Sequence, residues 1–81
     1  MLIEQIFGNI LKDLRKAKKW SQEQLALEAD LDRTYISLLE RGKNSPTLNT
    51  LFLLATALGI TTSEIIKKLE QELIRYPNIK K

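Results

Sequence analysis

The 81-residue chain contains no cysteine and no histidine. Without cysteine there is no disulfide, no thiolate metal site and no thiol nucleophile, a composition compatible with a reducing cytoplasm. Without histidine the chain lacks the commonest metal ligand and the commonest general base. Carboxylates and lysines remain, but no nucleophile–base constellation or metal cluster can be picked out among them. The expectation is a protein that is not an enzyme and needs no cofactor. No apolar run approaches the ~20 residues that a membrane span requires. The segment Met1-Leu2-Ile3-Glu4-Gln5 lacks the basic stretch and apolar run of a signal peptide. The cytoplasm is the expected compartment, with no membrane partner. Internal repeats, linkers and low-complexity segments are also missing.

What is present is an ordinary globular composition, 43% hydrophobic, in a length that suits a single domain over residues 1–81 with one modest core. The net charge of +3 is mildly basic and does not by itself demand nucleic acid. Its placement matters more than its size, and a dimer would double it.

Apolar residues at Ile3, Ile6, Phe7, Ile10, Leu11, Leu14 and Ala17 follow a helical period over 3–18. Arg15 and Lys12, Lys16, Lys18 and Lys19 crowd the C-terminal half, where cations suit the helix dipole. Ser21 reads as an N-cap, with Gln24 three residues later as in a capping box. Leu25, Ala26 and Ala29 form the buried stripe of a short second helix, and Ala26 is small enough for a close crossing. Asp30 falls where a left-handed residue is wanted, Leu31 is the buried residue of the turn, and Asp32 caps a third helix running to about Arg41. Gly42 ends it. After the loop Lys43-Asn44-Ser45-Pro46, Thr47 caps a fourth helix. Leu48, Leu51, Phe52, Leu54, Ala55 and Leu58 make that helix apolar over most of its circumference, which places it centrally. Gly59 closes it. Thr61 and Glu64 form another capping box ahead of a fifth helix over about 62–76. Ile65, Ile66, Leu69, Leu73 and Tyr76 stripe it, Pro77 ends it, and the tail 78–81 is expected to fray. The fold expected is all-α, a compact five-helix domain.

Residues 21–41 are therefore two short helices joined by a tight turn. That layout suits a helix-turn-helix, whose second helix enters the DNA major groove. At ~100° per residue, Ile36, Leu39 and Glu40 share the inward face of the third helix, and Thr34, Ser37, Leu38 and Arg41 point the other way. Arg33 and Tyr35 flank the first turn. Arg33 can bond guanine O6 and N7 in bidentate fashion, Thr34 and Ser37 can bond base edges or phosphate, and Leu38 can meet a thymine methyl. Gln22 lies in the first turn of the second helix, where free N–H groups and a side-chain amide can grip a phosphate. Thr47 and Asn49 offer a second such anchor, and Lys43, Asn44 and Ser45 lie in the loop between. Any one of these features alone suits a solvated surface, ordinary capping or packing; three anchors around one helix are more specific. Arg15 and Glu40 both fall on inward faces, so they are expected to meet as a structural salt bridge.

Four segments together carry a family resemblance. Ser21-Gln22-Glu23-Gln24-Leu25-Ala26, Ile36-Ser37-Leu38-Leu39-Glu40-Arg41-Gly42, Ser45-Pro46-Thr47-Leu48 and Leu54-Ala55-Thr56-Ala57-Leu58-Gly59-Ile60 resemble the Cro/lambda-repressor-like (XRE) helix-turn-helix regulators. The resemblance covers about residues 5–75. It implies that Gln22 holds a phosphate and that Arg15 and Glu40 form a buried pair. Within that family, Leu31-Asp32-Arg33-Thr34-Tyr35-Ile36-Ser37 is most similar to the controller proteins of restriction–modification systems. These are homodimers on pseudo-palindromic operators that regulate their own gene and the endonuclease gene. Their positions matching Arg33, Thr34 and Tyr35 contact DNA. Some positions depart from the pattern. Lys19 stands where glycine is frequent, so the first helix is expected to end without a left-handed cap. Asp30 replaces the common turn glycine, and Asn44 occupies a loop position that is basic in some relatives.

The fifth helix has more apolar surface than a monomer of this size needs, so Ile65, Ile66, Leu69 and Leu73 are candidates for a two-fold interface. Such a dimer would set two recognition helices about one DNA turn, ~34 Å, apart. The function expected is a homodimeric, sequence-specific transcription regulator of restriction–modification genes, binding double-stranded DNA, with Glu23 and Glu28 available to touch RNA polymerase. The alternatives are a phage or plasmid repressor of the same fold, and an antitoxin-like protein-binding module that uses the fifth helix.

Overall fold

A computed structural model describes residues 3–75. They form α1 (Ile3–Ala17), α2 (Gln22–Ala29), α3 (Arg33–Glu40), α4 (Leu48–Leu58) and α5 (Thr62–Arg75), with no strand among the described residues. Tyr76, Pro77 and the tail 78–81 lie outside them.

Local chemistry starts α2 to α5. The Ser21 hydroxyl accepts from the Gln24 backbone N–H at 3.0 Å, and Asp32 Oδ1 accepts from the Thr34 N–H at 3.4 Å. Thr47 Oγ1 accepts from the Thr50 N–H at 3.1 Å. These side chains satisfy N–H groups that have no partner inside the helix. Thr61 and Glu64 complete a reciprocal box, each accepting the other's backbone N–H at 3.1 Å. The box expected at Ser21 is only half made, because the Gln24 amide donates along the helix to Glu28 at 2.9 Å instead.

The ends of α1 to α4 share one device: a left-handed residue that lets the next N–H reach back five residues. The left-handed residues are Lys19, Asp30, Gly42 and Gly59, with φ of 61°, 56°, 73° and 73°. The returning bonds are Trp20 to Arg15, Leu31 to Ala26, Lys43 to Leu38 and Ile60 to Ala55. This corrects the reading of Lys19: α1 does end in a left-handed cap, carried by a lysine. The turn to α2 is too short to reverse the chain otherwise, so the backbone bond outweighs the residue's own preference.

The core gathers Phe7 and Leu11 from α1, Leu25 from α2, Ile36 and Leu39 from α3, Leu54 from α4 and Ile65 from α5. Alpha-1 crosses α3 at Gly8, where a Cβ would stand 2.5 Å from the Leu39 carbonyl oxygen and 2.7 Å from that of Glu40. Glycine is there for backbone approach. The central placement of α4 is correct for Leu51, Leu54, Ala55 and Leu58, which are buried. It fails for Leu48 and Phe52, which are 77% and 60% exposed. They lie one turn apart on the same side of α4.

Candidate nucleic-acid interface

Alpha-3 is held by Ile36, Leu39 and Glu40, all buried. That anchorage sets its outer face. Arg33 and Thr34 stand exposed at the N-terminal end, and Ser37 and Leu38 are half-buried behind them. The angle between α2 and α3 is fixed by Leu31, which packs from the turn against the core. Tyr35 differs from its neighbours. Its ring packs against the core, and its hydroxyl lies 3.5 Å from Thr50 Oγ1. Thr47 donates to that same oxygen at 3.0 Å. Tyr35 thus ties α3 to the start of α4, a link that no sequence pattern announces. Exposed Arg41 closes the outer face, with Nε 3.4 Å from the Ser37 carbonyl oxygen.

The residues assigned to phosphate fall into two states. Lys43, Asn44, Ser45 and Asn49 are exposed. Thr47 is exposed too, but its hydroxyl caps α4. Gln22 is half-buried, and its amide donates to Glu40 Oε1 at 3.1 Å. One amide hydrogen and the side-chain oxygen stay available beside the N–H groups of α2.

Beneath these groups lies the buried pair. Arg15 Nε donates to Glu40 Oε2 at 2.6 Å and its Nη2 to Oε1 at 2.9 Å, a bidentate clamp. The third guanidinium nitrogen donates to the Trp20 carbonyl at 2.7 Å. Hydrogen bonding to Glu40 holds the Arg15 pKa above its ordinary value against the opposing effect of burial. No buried side-chain nitrogen or oxygen is left unpartnered among the described residues. Facing patterns alone foretell the pair; its bonds to Trp20 and Gln22 are not legible in them.

The four dimer candidates separate. Ile65 is 1% exposed and sits inside the monomer core, which removes it from any direct interface. Leu69 packs against the core from its edge, and Leu73 is half-buried. Ile66 is 38% exposed. It lines a hollow of about 490 Å³ with Phe52, Thr61, Thr62, Ser63 and Glu70. Phe52, which its apolar pattern assigns to the core, is instead an interface candidate.

Among the described residues no group of three or more aspartate, glutamate, histidine or cysteine side chains could hold a metal ion. No single helix among them is long and apolar enough to cross a membrane.

A helix-turn-helix family model matches residues 11–65. The chain belongs to the XRE-type helix-turn-helix family. It is a DNA-binding transcription regulator. Its likeness is to controller proteins of restriction–modification systems. It is 49% identical to control protein C.MunI from a Mycoplasma species over 67 residues, which are 82% of this chain and 90% of that protein. The crystal structure of the controller protein C.AhdI from Aeromonas hydrophila superposes with a TM-score of 0.75 at 44% identity, covering 76% of this chain and 94% of that one. The controller protein C.Esp1396I, crystallised as a tetramer with its natural 35-base-pair operator, superposes with a TM-score of 0.82 at 30% identity, covering 91% and 97%. The match to controller protein structures agrees with the fold class read from sequence.

Proposed function

We propose that this helix-turn-helix regulator acts in the cytoplasm as a homodimer on a pseudo-palindromic operator, controlling restriction–modification genes that include its own. The observation that carries the reading is the exposed N-terminal end of α3. Arg33 and Thr34 are exposed there, and the starts of α2 and α4 are capped by Ser21 and Thr47. In this reading Arg33, Thr34, Tyr35, Ser37 and Leu38 read bases. Gln22, Lys43, Asn44, Ser45, Thr47 and Asn49 hold the backbone. The operator complex of C.Esp1396I supports the DNA partner by similarity.

The dimer face combines Phe52 with Ile66, Leu69 and Leu73, so that α5 serves as the dimerisation helix. Alpha-2 carries a separate outward surface, with Leu27 73% exposed beside exposed Glu23 and Glu28, which suits contact with RNA polymerase.

The test is selection of bound duplexes from a randomised pool, followed by titration at several salt concentrations. Enrichment of an inverted repeat, with affinity falling steeply as salt rises, is the expected result. A pool from which no duplex is enriched sinks the reading. It would leave a protein-binding module of the same fold as the alternative.

A further inference from the structure

Residues 14–22 contain Arg15, Lys16, Lys18 and Lys19 and no acidic residue. Arg15 is committed to Glu40 and to the Trp20 carbonyl. The lysines are not. Lys16 and Lys19 are exposed, and the salt bridges among the described residues join Arg15 to Glu40 and Arg75 to Glu72. Lys18 Nζ sits 4.9 Å from the centroid of the Trp20 ring, which is half-buried against the core. Arg15 ties the turn that carries these charges to the buried pair through the Trp20 carbonyl. Lys19 also holds the left-handed conformation, φ 61°, that suits glycine and disfavours a lysine. Ser21 and Gln22, the start of α2, follow at once.

Resting on the DNA-binding reading above, we infer that Lys19, with Lys18 beside it, is a further phosphate-binding group, extending the α2 anchor outward along the flank of each half-site. A cation just before a helix N-terminus adds to the same attraction for an anion. The lysine keeps a charge where a glycine would give the more stable turn.

The experiment compares wild type with Lys19→Gly, Lys19→Asn and, as a control on α5, Lys67→Gln, on the selected operator and on an unrelated duplex. Lys19→Gly is expected to raise the melting temperature by about 4 °C, since it relieves the left-handed lysine. It is also expected to weaken binding several-fold on both duplexes alike. With one fewer phosphate neutralised by each protomer, the slope of log K against log salt becomes shallower by about 1.8 per dimer. Lys19→Asn, which tolerates the conformation but lacks the charge, should lose binding equally, and Lys67→Gln should change neither affinity nor slope. Unchanged affinity and slope in both Lys19 variants overturn the inference while the DNA-binding reading stands. Failure of wild type to bind either duplex overturns both.

Discussion

At the residue scale, one guanidinium does two jobs. Arg15 clamps Glu40 across α1 and α3 and holds the Trp20 carbonyl at the entrance to α2. Glu40 in turn takes the Gln22 amide. Removing one member of such a pair leaves a buried charge without compensation, at a cost of about 3–5 kcal/mol. For a domain of this size total stability is on the order of 4–12 kcal/mol. Arg15→Met is therefore expected to lower the thermal midpoint sharply. Arg15→Met with Glu40→Leu should recover much of the loss, because the uncompensated charge is gone. Equal melting of the single and double variants would contradict this role for the pair. Arg33 and Gln22 should behave oppositely on DNA. Arg33→Ala is expected to relax one position in each half-site and to cost ~1–3 kcal/mol per lost guanine pair. Gln22→Ala should weaken all sequences alike. Competition with single-base operator variants distinguishes the two patterns.

At the element scale, Gly8 shows where helix propensity loses to packing. In a free helix, alanine is better than glycine by about 1 kcal/mol. At the α1–α3 crossing, a Cβ at Gly8 meets the Leu39 and Glu40 carbonyls at 2.5 and 2.7 Å. Both neighbours are backbone and cannot turn aside. Gly8→Ala is expected to destabilise by about 1–3 kcal/mol, the usual cost of overpacking, read as a lower midpoint in urea. A midpoint that rises would mean that α1 sits farther from α3. The helix ends show what a sequence can convey. The N-caps at Ser21, Asp32, Thr47 and Thr61 are legible because capping is chemistry between residues two or three apart. The Arg15–Glu40 pair is legible because two charged residues break otherwise apolar faces. Gly8 is silent, since its reason lies in the backbone of a helix about thirty positions away. Lys19 misleads because the composition of a turn is weaker evidence than the bond it must make. Phe52, exposed, and Ile65, buried, exchange their expected exposure for a related reason. An apolar stripe shows that a face is covered, and cannot show whether the cover is the same chain or another.

At the scale of the whole molecule, one protomer of the proposed dimer would be half of a reader. Phe52 and Ile66 leave apolar surface beside one hollow, and both are more than a third exposed. Ile66→Asp or Phe52→Asp is expected to give a folded monomer by sedimentation, with unchanged helical content and operator affinity reduced at least tenfold. A variant that stays dimeric would move the interface elsewhere. Each half would place its own α3 in the major groove, with the two half-sites about one turn, ~34 Å, apart. The most direct measurement is sequencing of duplexes selected from a random pool by wild type and by Arg33→Ala. Wild type is expected to select an inverted repeat with half-site centres roughly 10 base pairs apart, and Arg33→Ala to lose preference at one symmetric position. No enrichment for wild type, or an Arg33→Ala profile identical to it, would contradict the assignment of α3 as the recognition helix.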